Sequence, residues 1–218
     1  MKKGTRCAFT LLELLVVLAI IAVLLATLLA VGPSIMARGD RADALAKIRK
    51  AGTAVKQYSA DHAGRLPPLF PGQVLEYRPD RRGRIVTECA SYLEIDPAMG
   101  PHLVRSLLPK AYARLTQPAN PLEMRVFVMN TSITNAAGSV VRPFGGISGG
   151  EVDGGTAPLA AVPSENRPLM MSTADQQQPW VAGAPWRNNA PAISPLGAGR
   201  RVVFYFDGAA EIVGSSAP

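Results

Sequence analysis

Ala8-Phe9-Thr10-Leu11-Leu12-Glu13 opens the stretch that decides the fold, FTLLELLVVLAIIAVLLATLLAV, which runs from Phe9 to Val31. Ahead of it stand eight short, polar, basic residues, MKKGTRCA. The run carries one charge, Glu13, and the 18 residues from Leu14 to Val31 carry none, with Thr27 their only polar member. As a helix rising about 1.5 Å per residue it spans about 34 Å, enough for a hydrocarbon core of about 30 Å. Lys2, Lys3 and Arg6 argue for a cytoplasmic N-terminus and an outward-facing C-terminal domain.

Two simpler accounts compete. A secretory signal peptide has an apolar region of roughly 7–15 residues, shorter than this one. Its best small-residue site here, Ala30-Val31-Gly32, is followed by Pro33, which disfavours cleavage. A plain anchor leaves Glu13 unexplained, because a carboxylate deep in a bilayer costs about 2–3 kcal/mol and usually has a partner.

The hexapeptide Ala8 to Glu13 resembles the prepilin peptidase site of type IV pilins and type II secretion pseudopilins. In that family a short basic leader ends in a small residue, usually glycine. Phenylalanine usually follows, and glutamate stands at the fifth mature position. The resemblance implies cleavage between Ala8 and Phe9, N-methylation of Phe9, and pairing of Glu13 with the N-terminal ammonium of a neighbouring subunit. Alanine stands where glycine is usual. The helix-breaking proline of the family falls about three residues late, at Gly32-Pro33, where a kink or melted turn is expected.

Residues 34–62 read as the amphipathic upper half of the same helix. Leu45, Ile48, Gly52, Val55 and Tyr58 form its apolar stripe, and Gly64, Pro67 and Pro68 end it. The segment from Tyr58 through Asp61, Gly64, Arg65, Leu66 and Pro67 resembles a subgroup of pilin-like proteins whose helix closes in a Tyr–Asp–Gly–Arg–Leu–Pro-type stretch. That subgroup tends to end in a strand and an aspartate–glycine turn, which VVFYFDGAAEIV (residues 202–213) matches. Some members carry a histidine ten residues before that aspartate, where this chain has Gly197. Asp207-Gly208 between two apolar runs predicts a hairpin with a type I′ turn. Strands are also expected at 84–87, 125–130 and 169–172, and helical segments at 88–95 and 102–115. Glycine and proline make up 18 of the 62 residues from Gly138 to Gly199, which predicts long loops.

Charge and cysteine content set further bounds. The formal charge is +7, and removal of the leader lowers Lys+Arg from 23 to 20 against 16 acidic residues, leaving +4. Such a surface calls for no nucleic-acid partner. Loss of Cys7 with the leader leaves Cys89 alone, so no internal disulfide can form.

Gly146-Ile147-Ser148-Gly149-Gly150 fits G-x-S-x-G, but both histidines, His62 and His102, precede the serine, against the order of that hydrolase class. No catalytic set is expected and the chain is read as a non-enzyme. Glu151 and Asp153 in a glycine loop are weak oxygen ligands for calcium, the only cofactor raised, and a solvated loop is preferred. Arg78, Arg81, Arg82 and Arg84 could meet phosphates, with a solvated loop again preferred. Trp180 and Trp186 are read as loop anchors.

The expectation is an α+β, pilin-like lollipop: a long N-terminal helix packed by its upper half on a small antiparallel sheet with long loops. Its parts are a leader (1–8), a transmembrane and filament-core helix (9–33), the amphipathic half (34–62) and a β-rich domain (63–218). The expected partners are prepilin peptidase, other pilin or pseudopilin subunits, an inner-membrane assembly platform and the lipid bilayer. A secretion pseudopilin is the first reading. The alternatives are a surface pilin for adhesion, motility or DNA uptake, and a membrane-anchored binding protein.

Overall fold

The computed structural model of the chain describes residues 10–115, 120, 122–148, 151–153, 155–178, 181, 183–197 and 199–214, without the side chains of 147–148 and 151–153. The chain divides into two units, Met1–Gly39 and Asp40–Pro218. Helix α1 (Leu11–Asp61) contributes to both.

In the first unit α1 is helical through Gly32-Pro33. The melted turn expected there does not occur. Proline removes one i→i−4 hydrogen bond, leaving the Leu29 carbonyl without that donor, and the helix on both sides carries the backbone past it.

In the second unit α1 buries Ala44, Ile48, Ala51, Gly52, Ala54, Val55 and Ser59. The expected stripe is present at Ile48, Gly52 and Val55, while Leu45 and Tyr58 are only partly covered. Alanines widen it. Small residues let a β-sheet approach closely, and the Phe204 ring lies directly over Gly52. The helix closes in a Schellman arrangement: the Gly64 N–H donates to the Ser59 carbonyl at 2.8 Å, and Ala63 is left-handed at φ 52°.

Eleven strands are present among the described residues: β1 (Gly72–Val74), β2 (Glu76–Tyr77), β3 (His102–Leu103), β4 (Arg125–Met129), β5 (Ile133–Thr134), β6 (Val140–Val141), β7 (Gly146–Ser148), β8 (Glu151–Asp153), β9 (Leu169–Thr173), β10 (Arg201–Tyr205) and β11 (Ala210–Val213). Five form one antiparallel sheet in the order β1-β4-β9-β10-β11. The three central strands read RVFVM, LMMST and RVVFY, nearly continuous apolar runs, as strands covered on both faces do. Most of the core joins α1 to this sheet, and Val128, Ala174, Val181 and Ala190 form a second small cluster with Trp186. Buried within the sheet region, Arg201 donates to both Asp175 carboxylate oxygens, at 2.7 and 2.9 Å.

The α+β expectation holds, with several local corrections. Residues 84–87 are not a strand: Ile85–Glu88 form a helical turn, α2, because the Gln73 Oε1 accepts the Ile85 N–H at 2.6 Å and caps it. The region 102–115 is only partly helical, with β3 pairing to β2 and a short α3 (Lys110–Ala113) after Pro109. The Asp207-Gly208 hairpin is present, but only Gly208 takes positive φ, at 96°. Phe206, Asp207 and Gly208 form a three-residue loop in which the Gly208 N–H donates to the Tyr205 carbonyl at 3.0 Å.

Candidate functional site

The N-terminal half of α1 is the segment with an unusual physical demand. All residues from Leu11 to Val31 are exposed. Fifteen of them are large and apolar, from Leu11 at 82% to Val17 at 44% accessible. Covering each is worth about 1.5 kcal/mol, so together they drive burial by on the order of 20 kcal/mol. That exceeds the usual net stability of a whole domain, about 5–15 kcal/mol. The segment is long and apolar enough to cross a membrane.

Its few polar groups suit an apolar surrounding. The Thr27 hydroxyl donates to the Leu24 carbonyl at 2.8 Å, so the only polar side chain of the uncharged run is satisfied by its own helix. Glu13 sits at the third helical position. One of its oxygens, Oε2, accepts the Thr10 backbone N–H at 2.8 Å and the Thr10 hydroxyl at 2.9 Å. The Thr10 hydroxyl in turn accepts the Glu13 N–H at 3.2 Å. This is a capping box with Thr10 as N-cap. Sequence reasoning weighed Glu13 only as a charge in need of another subunit. The Thr-x-x-Glu spacing before an apolar run was the available signal for its second role. Ala8 and Phe9 lie outside the described residues.

The Tyr58-to-Pro67 stretch closes α1 and ties it to a distant loop. Tyr92 donates its hydroxyl to Asp61 at 2.8 Å. The Leu66 N–H donates to the Ala157 carbonyl and Leu159 N–H to the Gly64 carbonyl, at 3.2 and 2.7 Å. The Lys56 ammonium reaches the Asp207 carbonyl at 3.3 Å, joining the helix to the β10–β11 turn. Lys56, with Gly52 beneath the Phe204 ring, thus joins α1 to the β10–β11 hairpin.

The remaining candidates fare differently. Ser148 ends β7, which pairs with β8, so the serine stands on a hairpin strand and not ahead of a helix. Glu151 and Asp153 stand at alternate positions of β8, not in a loop. The Gly-Gly pair between two short runs was the unread hairpin signal. No cluster of three or more metal-ligating side chains occurs among the described residues. Cys89 is a buried free thiol, and burial pushes its pKa up. Trp180 lies outside the described residues, while Trp186 lies against Gly72. The arginine loop is not simply solvated: Arg78 pairs with Asp80 at 3.2 Å, Arg82 with Glu88 at 3.1 Å and Arg84 with Glu76 at 2.7 Å.

Residues 4–29 match the family described as the prokaryotic N-terminal methylation motif. No curated protein and no solved structure matches the chain. The match covers the hexapeptide Ala8 to Glu13, four residues before it and most of the exposed apolar helix. That motif on a long apolar helix is consistent with a pilin-like protein.

Proposed function

We propose that this chain is a structural subunit of a type II secretion-like or type IV pilus-like filament, with a secretion pseudopilin as the preferred form. Prepilin peptidase cuts between Ala8 and Phe9, and Phe9 is N-methylated. The subunit then waits in the inner membrane with its C-terminal domain outside. On assembly, α1 leaves lipid for a core built of the same helices. The observation that carries this reading is the wholly exposed apolar face from Leu11 to Val31, with one carboxylate at its start. Lipid and a bundle of like helices are the two surroundings that satisfy it without unpaired backbone groups.

Glu13 takes two roles in sequence. Within the chain it caps α1 through Thr10. In the filament its charge meets the Phe9 ammonium of a neighbour and sets the register between subunits, since a charge in low dielectric is tolerable when paired. The two roles separate experimentally. Glu13→Gln keeps an acceptor for the cap and removes the charge, while Glu13→Ala removes both. Expressed beside its own peptidase and assembly platform, each variant is cut normally and enters filaments poorly. Normal incorporation of either variant would refute the register role. Rescue by glutamine alone would reduce Glu13 to a cap.

A further inference from the structure

The arginine loop and the first edge of the sheet form a half-open cavity of about 600 Å³ lined by Phe70, Arg81, Arg82, Arg84, Arg125 and Trp186, among others. Its walls are fixed. The buried Gln73 side chain donates to the Phe70 and Gly83 carbonyls at 2.6 and 3.1 Å and accepts the Ile85 N–H. The Phe70 N–H donates to the Gly83 carbonyl at 2.8 Å, and Gly83 N–H to Glu88 at 2.9 Å. Opposite, the Trp186 ring lies flat on Gly72, where a Cβ would stand 2.7 Å from the indole. The Arg125 guanidinium sits 5.9 Å from the Trp186 ring centre.

Four arginines therefore line one space with Phe70 and Trp186, and their charge is incompletely matched. Arg84 and Arg82 have Glu76 and Glu88. Asp80 serves both Arg78, at 3.2 Å, and Arg81, at 3.9 Å. Arg125 forms no ion pair among the described residues: its Nη1 donates to the Gly72 carbonyl at 2.8 Å, and its Nε is sealed from solvent without an acceptor. The nearest acid along its own segment, Glu123, is engaged by the Asn120 amide at 3.2 Å. Five cations face four carboxylates around the loop, Glu76, Asp80, Glu88 and Glu123, a surplus of one. Burial and then the Arg84 charge press on Arg125 and the Glu123 charge offsets them in part, so an anion in the cavity relieves a cost that the free domain carries.

We infer that this cavity is a binding site for a phosphate monoester carried on a small flat body. Arginine forks match tetrahedral oxyanions with paired hydrogen bonds, a monoester carries about two charges near neutral pH, and the Trp186 and Phe70 rings flank a flat group. A volume of about 600 Å³ suits a small molecule and not a duplex.

The test uses the full chain in non-ionic detergent, titrated calorimetrically with phenyl phosphate at low salt. One equivalent is expected to bind, about tenfold more tightly than inorganic phosphate, and benzyl alcohol not at all. Arg81→Gln, exposed and with Asp80 still held by Arg78, is expected to weaken binding about fivefold, and Arg125→Met by more. Trp186→Ala is expected to abolish the preference for phenyl over inorganic phosphate. Arg78→Gln, on the same loop but outside the cavity lining, is expected to change binding less than twofold. If Arg125→Met does not fold, the Arg81→Gln and Arg78→Gln pair decides. No heat with millimolar phenyl phosphate, or equal losses in Arg78→Gln and Arg81→Gln, would overturn the assignment. So would a DNA duplex that binds at least as tightly with the same dependence on both arginines.

Discussion

Replacing Gly52 by alanine tests how the helix and sheet of the second unit fit together. A Cβ at this position would stand 2.3 Å from both Cδ1 and Cε1 of Phe204. Ordinary contact begins near 3.5 Å, so ring or helix must yield by about 1 Å. Phe204 is 2% accessible and sits in a strand paired on both sides, to Met171 and to Ala210. It has nowhere cheap to go. Overpacking of this kind costs about 1–3 kcal/mol, and the size of the overlap argues for the upper end. Alanine returns about 1 kcal/mol through helix propensity. The net expectation is a loss of about 2 kcal/mol, or a fall of about 4–8 °C in Tm for a chain of this length. Gly39 supplies the control, because no atom lies within 4 Å of a Cβ built there. Gly39→Ala should therefore hold or raise helix stability. Thermal unfolding in detergent, followed by near-ultraviolet circular dichroism, reads both variants. Phe204→Leu in the Gly52→Ala background should recover part of the loss as a non-additive term. A Gly52→Ala chain as stable as the parent would refute the close packing.

Three further outcomes follow from the second unit. Arg201→Met should cost about 3–5 kcal/mol by leaving the buried Asp175 carboxylate unpaired, measured by urea unfolding; a loss below about 1 kcal/mol would contradict the pair's importance. Cys89, buried and with its pKa raised first by burial and then by the nearby Glu88 charge, should resist iodoacetamide in the folded Cys7→Ser chain and react once unfolded; rapid native alkylation would show the thiol to be accessible. Asp207 is held below the usual carboxylate range, first by the Ala209 N–H and then by Arg167. Its ionised form is thus favoured by folding, so its contribution is complete above an unfolded pKa of about 3.9 and fades as pH falls through the lower folded value. The stability gap between parent and Asp207→Asn should accordingly narrow from pH 6 toward pH 2.5, and a constant gap would contradict that linkage.

How much could be read in the residues beforehand depended on whether the signal was local. Composition alone revealed the apolar helix, and the Ile48–Gly52–Val55 stripe revealed which face the upper half buries. RVFVM, LMMS and VVFYF announced central strands because strands covered on both faces are apolar throughout. Residues 84–87 failed because their helical turn is capped by Gln73, a long-range partner that no local pattern contains. The turn at Asp207-Gly208 was found but mistyped, since the dipeptide suits both a two-residue loop and the three-residue loop observed. At the N-terminus the Glu13 spacing was legible as an assembly signal, while its capping box with Thr10 went unread. The cavity was out of reach, because Arg125 joins the arginine loop only through the pairing of β4 with β1.

The account rests on Phe9 becoming the first residue of a mature subunit whose exposed helix enters a filament. Mass spectrometry of the N-terminal peptide from membrane or filament fractions tests this most directly. The account predicts a chain that begins at N-methylated Phe9 and lacks residues 1–8. An intact Met1, or a chain cut near Gly32, would contradict it.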